Sequence, residues 1–209
     1  MNHVDRSLEA SDLNADTFRV LVVCTGNICR SPLAEAVLQA GLDEASPGYF
    51  SVSSAGTFAH AGKPAQPGSR DVANLLGASL DHFRARQLTE DHVARAHLVL
   101  VLAAAHRPEV LAVAPSALKR TFTLREFARI LERMPLESYR GASWTQVVAD
   151  ADRGRHAATV SDPLLNDVTD PYGLGNEAYE LMTNEMLPSI STFIEAAVTL
   201  RPKTVAPPR

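Results

Sequence analysis

The chain has 209 residues, a formal net charge of −4, 45% hydrophobic residues and two cysteines. That length suits one domain with a sizeable core, and the charge argues against a nucleic-acid partner. Both cysteines lie in one short stretch, which excludes a disulfide framework, and no apolar run approaches the roughly 18 residues of a membrane span.

Residues 1–17 are polar and acidic and read as a flexible lead-in. They lack the apolar core of a signal peptide, so a cytoplasmic location is expected. Phe18–Cys24 is an aliphatic run bounded by a turn signal, the pattern of a buried strand. Ser31-Pro32 then reads as a capped helix start, with Leu33, Ala34, Val37, Leu38 and Gly41 at helical spacing up to Pro47. Tyr49–Ala55 alternates as a second strand, and Gly56–Gly68 reads as a surface loop. Val72, Leu75 and Leu76 mark a short helix stopped by Gly77, and Thr89 is positioned to cap another.

His97–Leu102 is a nearly pure aliphatic run, typical of a buried parallel strand. A helix near Pro108 and a strand over Arg120–Thr123 follow. Thr123-Leu124-Arg125-Glu126 is a capping-box sequence before Phe127, Ile130, Leu131 and Met134. Ser143–Gln146 offers a second one for a helix ending at Gly154. Asp162–Gly175 reads as a loop, and Asn176–Leu200 as a last helix that Pro188 should kink or split. The Pro-rich stretch 201–209 reads as a disordered tail. Strands alternating with helices imply right-handed βαβ units and an α/β fold, its parallel sheet covered on both faces. Ligands in such sheets sit at the carboxyl ends of the strands, where Cys24 falls.

Cys24-Thr25-Gly26-Asn27-Ile28-Cys29-Arg30-Ser31 thus joins a strand to a helix N-terminus, which presents unpaired N–H groups to an anion. The reactive form of a cysteine is the thiolate, which helix N-termini and arginine favour. The amides of Thr25–Arg30 can curl around one phosphoryl group, and Arg30 can fork onto two of its oxygens as a lysine could not. Gly26 lets the backbone turn without a Cβ clash, and Asn27 is a residue type that tolerates left-handed geometry. Ser31 can donate to the sulfur. A nucleotide-binding loop would end in Gly-Lys-Ser/Thr, where this one has Cys-Arg-Ser. Cys29 reads either as a small apolar filler or as a thiol able to trap an oxidised Cys24. A proton donor for a leaving oxygen is still needed, and Asp162, Asp167 and Asp170 are candidates, each equally readable as a turn residue.

The run Cys24–Glu35 together with Asp170-Pro171-Tyr172-Gly173 resembles the low-molecular-weight protein tyrosine phosphatases. Ser54-Ala55-Gly56-Thr57 and Ala85-Arg86-Gln87-Leu88 match that family too, and the resemblance covers about residues 18–200. It implies a three-layer α/β domain with a four-stranded parallel sheet and a phosphate-binding loop after the first strand. It implies Cys24 as nucleophile of a phosphotyrosine or aryl-phosphate hydrolysis, Arg30 as phosphate binder and Asp170, not Asp162, as general acid and base. It implies no metal or other cofactor. Thr25, Gly26, Asn27, Ile28, Cys29 and Ser31 become substrate-binding residues, with Phe58, His60 and Tyr172 as rim candidates. The Ala59–Lys63 stretch is similar to bacterial members linked to exopolysaccharide control, which would pair the chain with a cognate tyrosine kinase.

Phe83 stands where many members carry a histidine that supports the loop asparagine, so Asn27 needs support from elsewhere, such as Ser54. Ala103 and Ala104 replace a common Asp, and Gln66 another. Residues 133–161 read as a helical insert around Trp144, either packing decoration or a lid. His92, His97, His106 and His156 show no ligand spacing and read as surface or helix-end residues. Two other functions compete with hydrolysis: arsenate reduction completed by an external thiol, and non-catalytic binding of phosphotyrosine or another anion.

Overall fold

The computed structural model describes residues 17–158, 160 and 162–200. Of the flexible lead-in expected over 1–17 only Thr17 is among them, and it is buried, while the tail expected over 201–209 lies outside them. Four parallel strands, β1 (Phe18–Cys24), β2 (Phe50–Gly56), β3 (Leu98–Val101) and β4 (Thr121–Thr123), form one sheet in the order β2-β1-β3-β4. Among the described residues seven α-helices accompany them: α1 (Arg30–Ala45), α2 (Pro67–Leu75), α3 (Glu90–Arg95), α4 (His106–Val113), α5 (Leu124–Arg133), α6 (Trp144–Gly154) and α7 (Asn176–Leu200). The α/β fold expected from the alternation is the one formed.

The period-2 alternation of β1 sets the layers. Val20 and Val22 join Leu98, Leu100 and Phe122 in a large core with α1, α5, α6 and α7. Leu21 and Val23 turn to the other face, against Val99, Val101, Val93 of α3 and Val110 of α4. β1 pairs with β2 through Cys24↔Gly56 and with β3 through Val23↔Val101. Strand order therefore reverses direction between β1 and β3, and the loops after these two strands open the crevice where such sheets hold ligands.

Several element boundaries differ from the sequence reading for local reasons. Helix α1 starts at Arg30, with Cys29 as an N-cap that makes no side-chain bond. Ser31 is thus inside the first turn, and its hydroxyl is turned into the preceding loop instead of capping. Helix α2 begins at Pro67, inside the expected loop, because proline's fixed φ suits a first helical position. Thr123 and Glu126 form both arms of the capping box, whereas at Ser143 only the hydroxyl bond from the Gln146 amide is formed. Helix α7 runs unbroken through Pro188 for 25 residues. Its buried face, from Met182 through Phe193 to Leu200, holds the helix together across the one bond that proline cannot make. Trp144 is 1% exposed and meets Phe18, Phe50 and Phe193 with ring centroids 5.0–5.9 Å apart.

Candidate active site

Residues 25–29 pass from the buried end of β1 to α1 without regular structure. Cys24 is 2% exposed, and its Sγ lies 3.0 Å from Ser31 Oγ. Asn27 is the one described non-glycine residue with positive φ, at 52°. Its side chain explains how that conformation is held. Nδ2 donates to Ser31 Oγ and to Ser54 Oγ, each at 2.8 Å, and Oδ1 accepts the Arg86 amide at 2.8 Å. Ser54 therefore supplies the support expected of it. Gly26 is not in the left-handed region, and the close approach at which it was expected to avoid a Cβ clash is to the His60 ring. A Cβ there would sit 3.0 Å from the His60 ring. The neighbour that must be glycine is Gly56, where a Cβ would come within 2.4 Å of the Thr25 carbonyl oxygen.

The hydrogen-bond chain continues away from the thiol. Ser54 donates to Glu35 Oε2 at 2.5 Å, and Arg86 donates through Nε to the Ser54 carbonyl at 2.6 Å. Burial raises the Glu35 carboxyl above its usual range, against the opposing pull of Ser54 and Arg86. Glu35 and Arg86 fall within the family-matching segments, and Arg86 reads as basic rim or core wall, but neither was expected to take part in supporting Asn27. The Glu35 carboxylate accepts the Ser54 proton, which leaves the Ser54 oxygen to accept from Asn27, and Asn27 donates to Ser31. The Ser31 proton is then directed to Cys24 Sγ.

Arg30 is buried, and its Nη2 donates to Asp170 Oδ2 at 2.5 Å. Its Nη1 reaches the Val168 carbonyl at 3.4 Å, while its buried Nε has no partner among the described residues. Of the three candidate acids only Asp170 meets the loop. Asp162 caps a 3-10 turn through the Leu164 amide, and Asp167 accepts the Ala104 amide at 2.6 Å. The Asp170 segment is fastened from behind by residues the sequence did not single out. Arg125 donates to the Asp167 carbonyl at 2.8 Å, and Glu185 accepts the Thr169 amide at 2.7 Å.

Of the surface and helix-end readings of the histidines, His106 takes the second, but as a buried residue. It is 4% exposed, at the start of α4 in the loop after β3. The Ala103 amide donates to Nδ1 at 3.1 Å, so the neutral ring carries its proton on Nε2 and donates to Thr25 Oγ1 at 3.0 Å. Burial first, then the Arg30 charge, pushes its pKa down to about 4. His106 thus links the loops after β1 and β3. The only signal for it in the sequence is its position just past the aliphatic strand.

At the rim, Phe58 donates its amide to the Thr25 carbonyl at 3.0 Å but leaves its side chain 80% exposed. His60 and Tyr172 stand with ring centroids 5.5 Å apart, and they border a cavity that also touches Ile28. Thr25 is exposed, whereas Ile28 and Cys29 are buried. Cys29 is a free thiol 3.6 Å from Tyr179 Oη, and burial pushes its pKa up to about 11. Burial also raises the Tyr179 phenol. Among the described residues no group of three or more His, Cys, Asp or Glu side chains could hold a metal ion.

The sequence and the fold have known counterparts. The sequence profile described as low molecular weight phosphotyrosine protein phosphatase matches residues 19–137. A low molecular weight protein-tyrosine-phosphatase of Streptomyces coelicolor is 38% identical over 184 residues, 87% of this chain and 94% of that protein. Among solved structures, the tyrosine phosphatase AmsI of Erwinia amylovora superposes with a TM-score of 0.63 at 26% identity, covering 86% of this chain and 93% of that one. The arginine phosphatase YwlE of Geobacillus stearothermophilus gives a TM-score of 0.63 at 29% identity, covering 85% and 91%. The chain belongs to the low molecular weight phosphotyrosine protein phosphatase family.

Proposed function

We propose that the chain hydrolyses phosphotyrosine monoesters through a phospho-cysteine on Cys24. The Cys24 thiolate attacks phosphorus, the bond from phosphorus to the phenolic oxygen breaks, and Asp170 gives its proton to that oxygen. Water then attacks the phospho-cysteine and passes a proton back to Asp170, and inorganic phosphate leaves as the thiolate reforms. Ser31 donates to the departing sulfur, which makes it a better leaving group. The amides of Thr25–Arg30 and the Arg30 guanidinium bind the three equatorial oxygens as charge redistributes among them. Phosphate entering the loop competes with Asp170 for Arg30, so substrate binding itself frees the carboxylate for proton transfer.

The observation that carries this reading is the Arg30–Asp170 pair beside the loop that holds Cys24. It brings together the two halves of a two-step phosphoryl transfer. The aromatic pair His60 and Tyr172 at the rim favours an aryl ester. Cys29, the second thiol of the chain, is buried with its pKa pushed up to about 11, so arsenate reduction would have to draw on an external thiol. A non-catalytic module would have no use for a carboxylate clamped at this position. The same reading puts the enzyme in the cytoplasm, where a tyrosine kinase supplies its phosphoprotein substrate.

The test is turnover of p-nitrophenyl phosphate and a phosphotyrosine peptide in chelator, wild type beside Cys24→Ser, with a phosphoarginine peptide as a further substrate. Hydrolysis of both aryl phosphates by the wild type, and none by the variant, is expected. Full activity in Cys24→Ser would overturn the mechanism, and hydrolysis of phosphoarginine alone would overturn the substrate class.

A further inference from the structure

The cavity beside the phosphate loop extends past the aromatic rim to a basic wall. It holds about 370 Å³ and runs from Ile28 and Tyr172 to Lys63, Gln66 and Arg70, with no carboxylate among its lining residues. Arg70 Nε is buried and has no hydrogen-bond partner among the described residues. Helix α2 opens at the same place: Gln66 is its N-cap and makes no side-chain bond to the first turn. Two cations and an uncapped helix start therefore face one space with no carboxylate among the described residues that line it.

The wall is fixed relative to the phosphate loop. The Gln66 amide donates to the Ile28 carbonyl at 2.7 Å, the His60 amide to Gly26 at 3.0 Å, and the Ala85 amide to Lys63 at 2.9 Å. Ser69 of α2 donates to the Cys29 carbonyl at 3.1 Å. A peptide whose phosphotyrosine enters the loop must pass a neighbouring side chain over this cavity or away from it. Only an anionic neighbour gains from the first course.

Resting on the phosphotyrosine reading above, we infer that this cavity is a second anion subsite, which takes a carboxylate or a second phosphate carried next to the phosphotyrosine on the same peptide. The preferred substrate is then a phosphotyrosine within an acidic or multiply phosphorylated segment. Lys63 and Arg70 are its specificity-determining residues.

The test compares kcat/KM for phosphotyrosine peptides with Glu or its neutral isostere Gln at each of the two positions on either side. A parallel pair carries a neighbouring phosphotyrosine or tyrosine. For the wild type at low salt, Glu over Gln is expected to gain roughly 5- to 20-fold at one position, shrinking as ionic strength rises. The phosphate arm reports whether the doubly charged group gains more. In Lys63→Met with Arg70→Met the ratio is expected to fall below about 2-fold, and in Lys63→Arg it should persist. If the double variant does not fold, Lys63→Met alone, at an exposed position, carries the test with a partial loss of the ratio. A wild-type ratio near one at every position, or a ratio that survives loss of the cations, overturns the subsite while leaving the phosphatase reading intact. Failure to turn over every peptide and p-nitrophenyl phosphate alike would instead sink that reading.

Discussion

Arg30 and Asp170 lie 140 positions apart in sequence, yet Arg30 Nη2 sits 2.5 Å from Asp170 Oδ2. The arginine is almost fully buried and the carboxylate about half exposed, at 6% and 47% side-chain exposure. The pair therefore joins a fixed cation in the phosphate loop to an acid facing solvent. If Asp170 protonates the leaving oxygen, its removal matters in proportion to how much the leaving group needs a proton. Asp170→Ala should lower turnover of a phosphotyrosine peptide by roughly 10²- to 10⁴-fold. The loss in kcat/KM, which reports phosphorylation of Cys24 and not the slowed breakdown of the phospho-cysteine, should be far smaller with 2,4-dinitrophenyl phosphate, whose phenolate departs unaided. Measuring kcat/KM across a series of phenol leaving groups tests this, and a uniform loss across the series would remove Asp170 from that role.

Asn27 allows its backbone strain and its hydrogen bonds to be separated. Asn27→Gly keeps the positive φ at no steric cost but loses three bonds, and it leaves the Arg86 amide without its acceptor. A destabilisation of about 2–4 kcal/mol is expected. Asn27→Ala should cost about 1 kcal/mol more, the penalty of a Cβ in the left-handed region. Denaturant unfolding followed by the fluorescence of buried Trp144, the single tryptophan, gives both values. Equal stability of the two variants would mean that the loop relaxes out of its observed conformation.

His106 makes a prediction about pH. Its folded pKa of about 4 lies below the ordinary histidine value of 6.5. The unfolded chain therefore binds its proton first as pH falls, and stability present above pH 6.5 is lost progressively toward pH 4. At about 1.4 kcal/mol per pKa step, the full loss is on the order of 3 kcal/mol. The raised carboxyl of Glu35 acts with the opposite sign, so the contribution of His106 is read as a difference. In His106→Asn, whose amide oxygen can still accept the Ala103 amide, the stability gap to wild type should narrow between pH 6.5 and 4. A gap that stays constant over that range would contradict the buried neutral ring.

The parts of this molecule that were readable in sequence are those set by local pattern. The β1 run, the Thr123 capping box and the Cys24–Ser31 loop each carry their signal within a dozen residues. The choice among Asp162, Asp167 and Asp170 could not be read that way, because all three sit in similar turn-rich surroundings. The family resemblance through Asp170-Pro171-Tyr172-Gly173 favoured Asp170, and the tertiary contact with Arg30 separates it physically from the other two. The same holds for His106, which binds Thr25 from 81 positions away, and for Arg125 and Glu185, which hold the Asp170 segment. Ser54 was anticipated because the missing histidine at Phe83 left a known need unfilled. The Asn176–Leu200 span of α7 was anticipated as well; of the kink or split expected at Pro188 the split is not formed, since the packing of its apolar face outweighs a proline penalty that local sequence makes prominent.

The central claim is a covalent bond between Cys24 and phosphorus. Asp170→Ala, which should form that bond from an activated aryl phosphate and break it slowly, is the protein in which to trap it. Rapid acid quench after mixing with 2,4-dinitrophenyl phosphate, followed by peptide mass analysis, should find one phosphate on the peptide containing Cys24. The adduct should be absent from the Cys24→Ser, Asp170→Ala double variant. Burst release of dinitrophenol with no phosphorylated Cys24 peptide, or with the phosphate on another residue, would contradict the account.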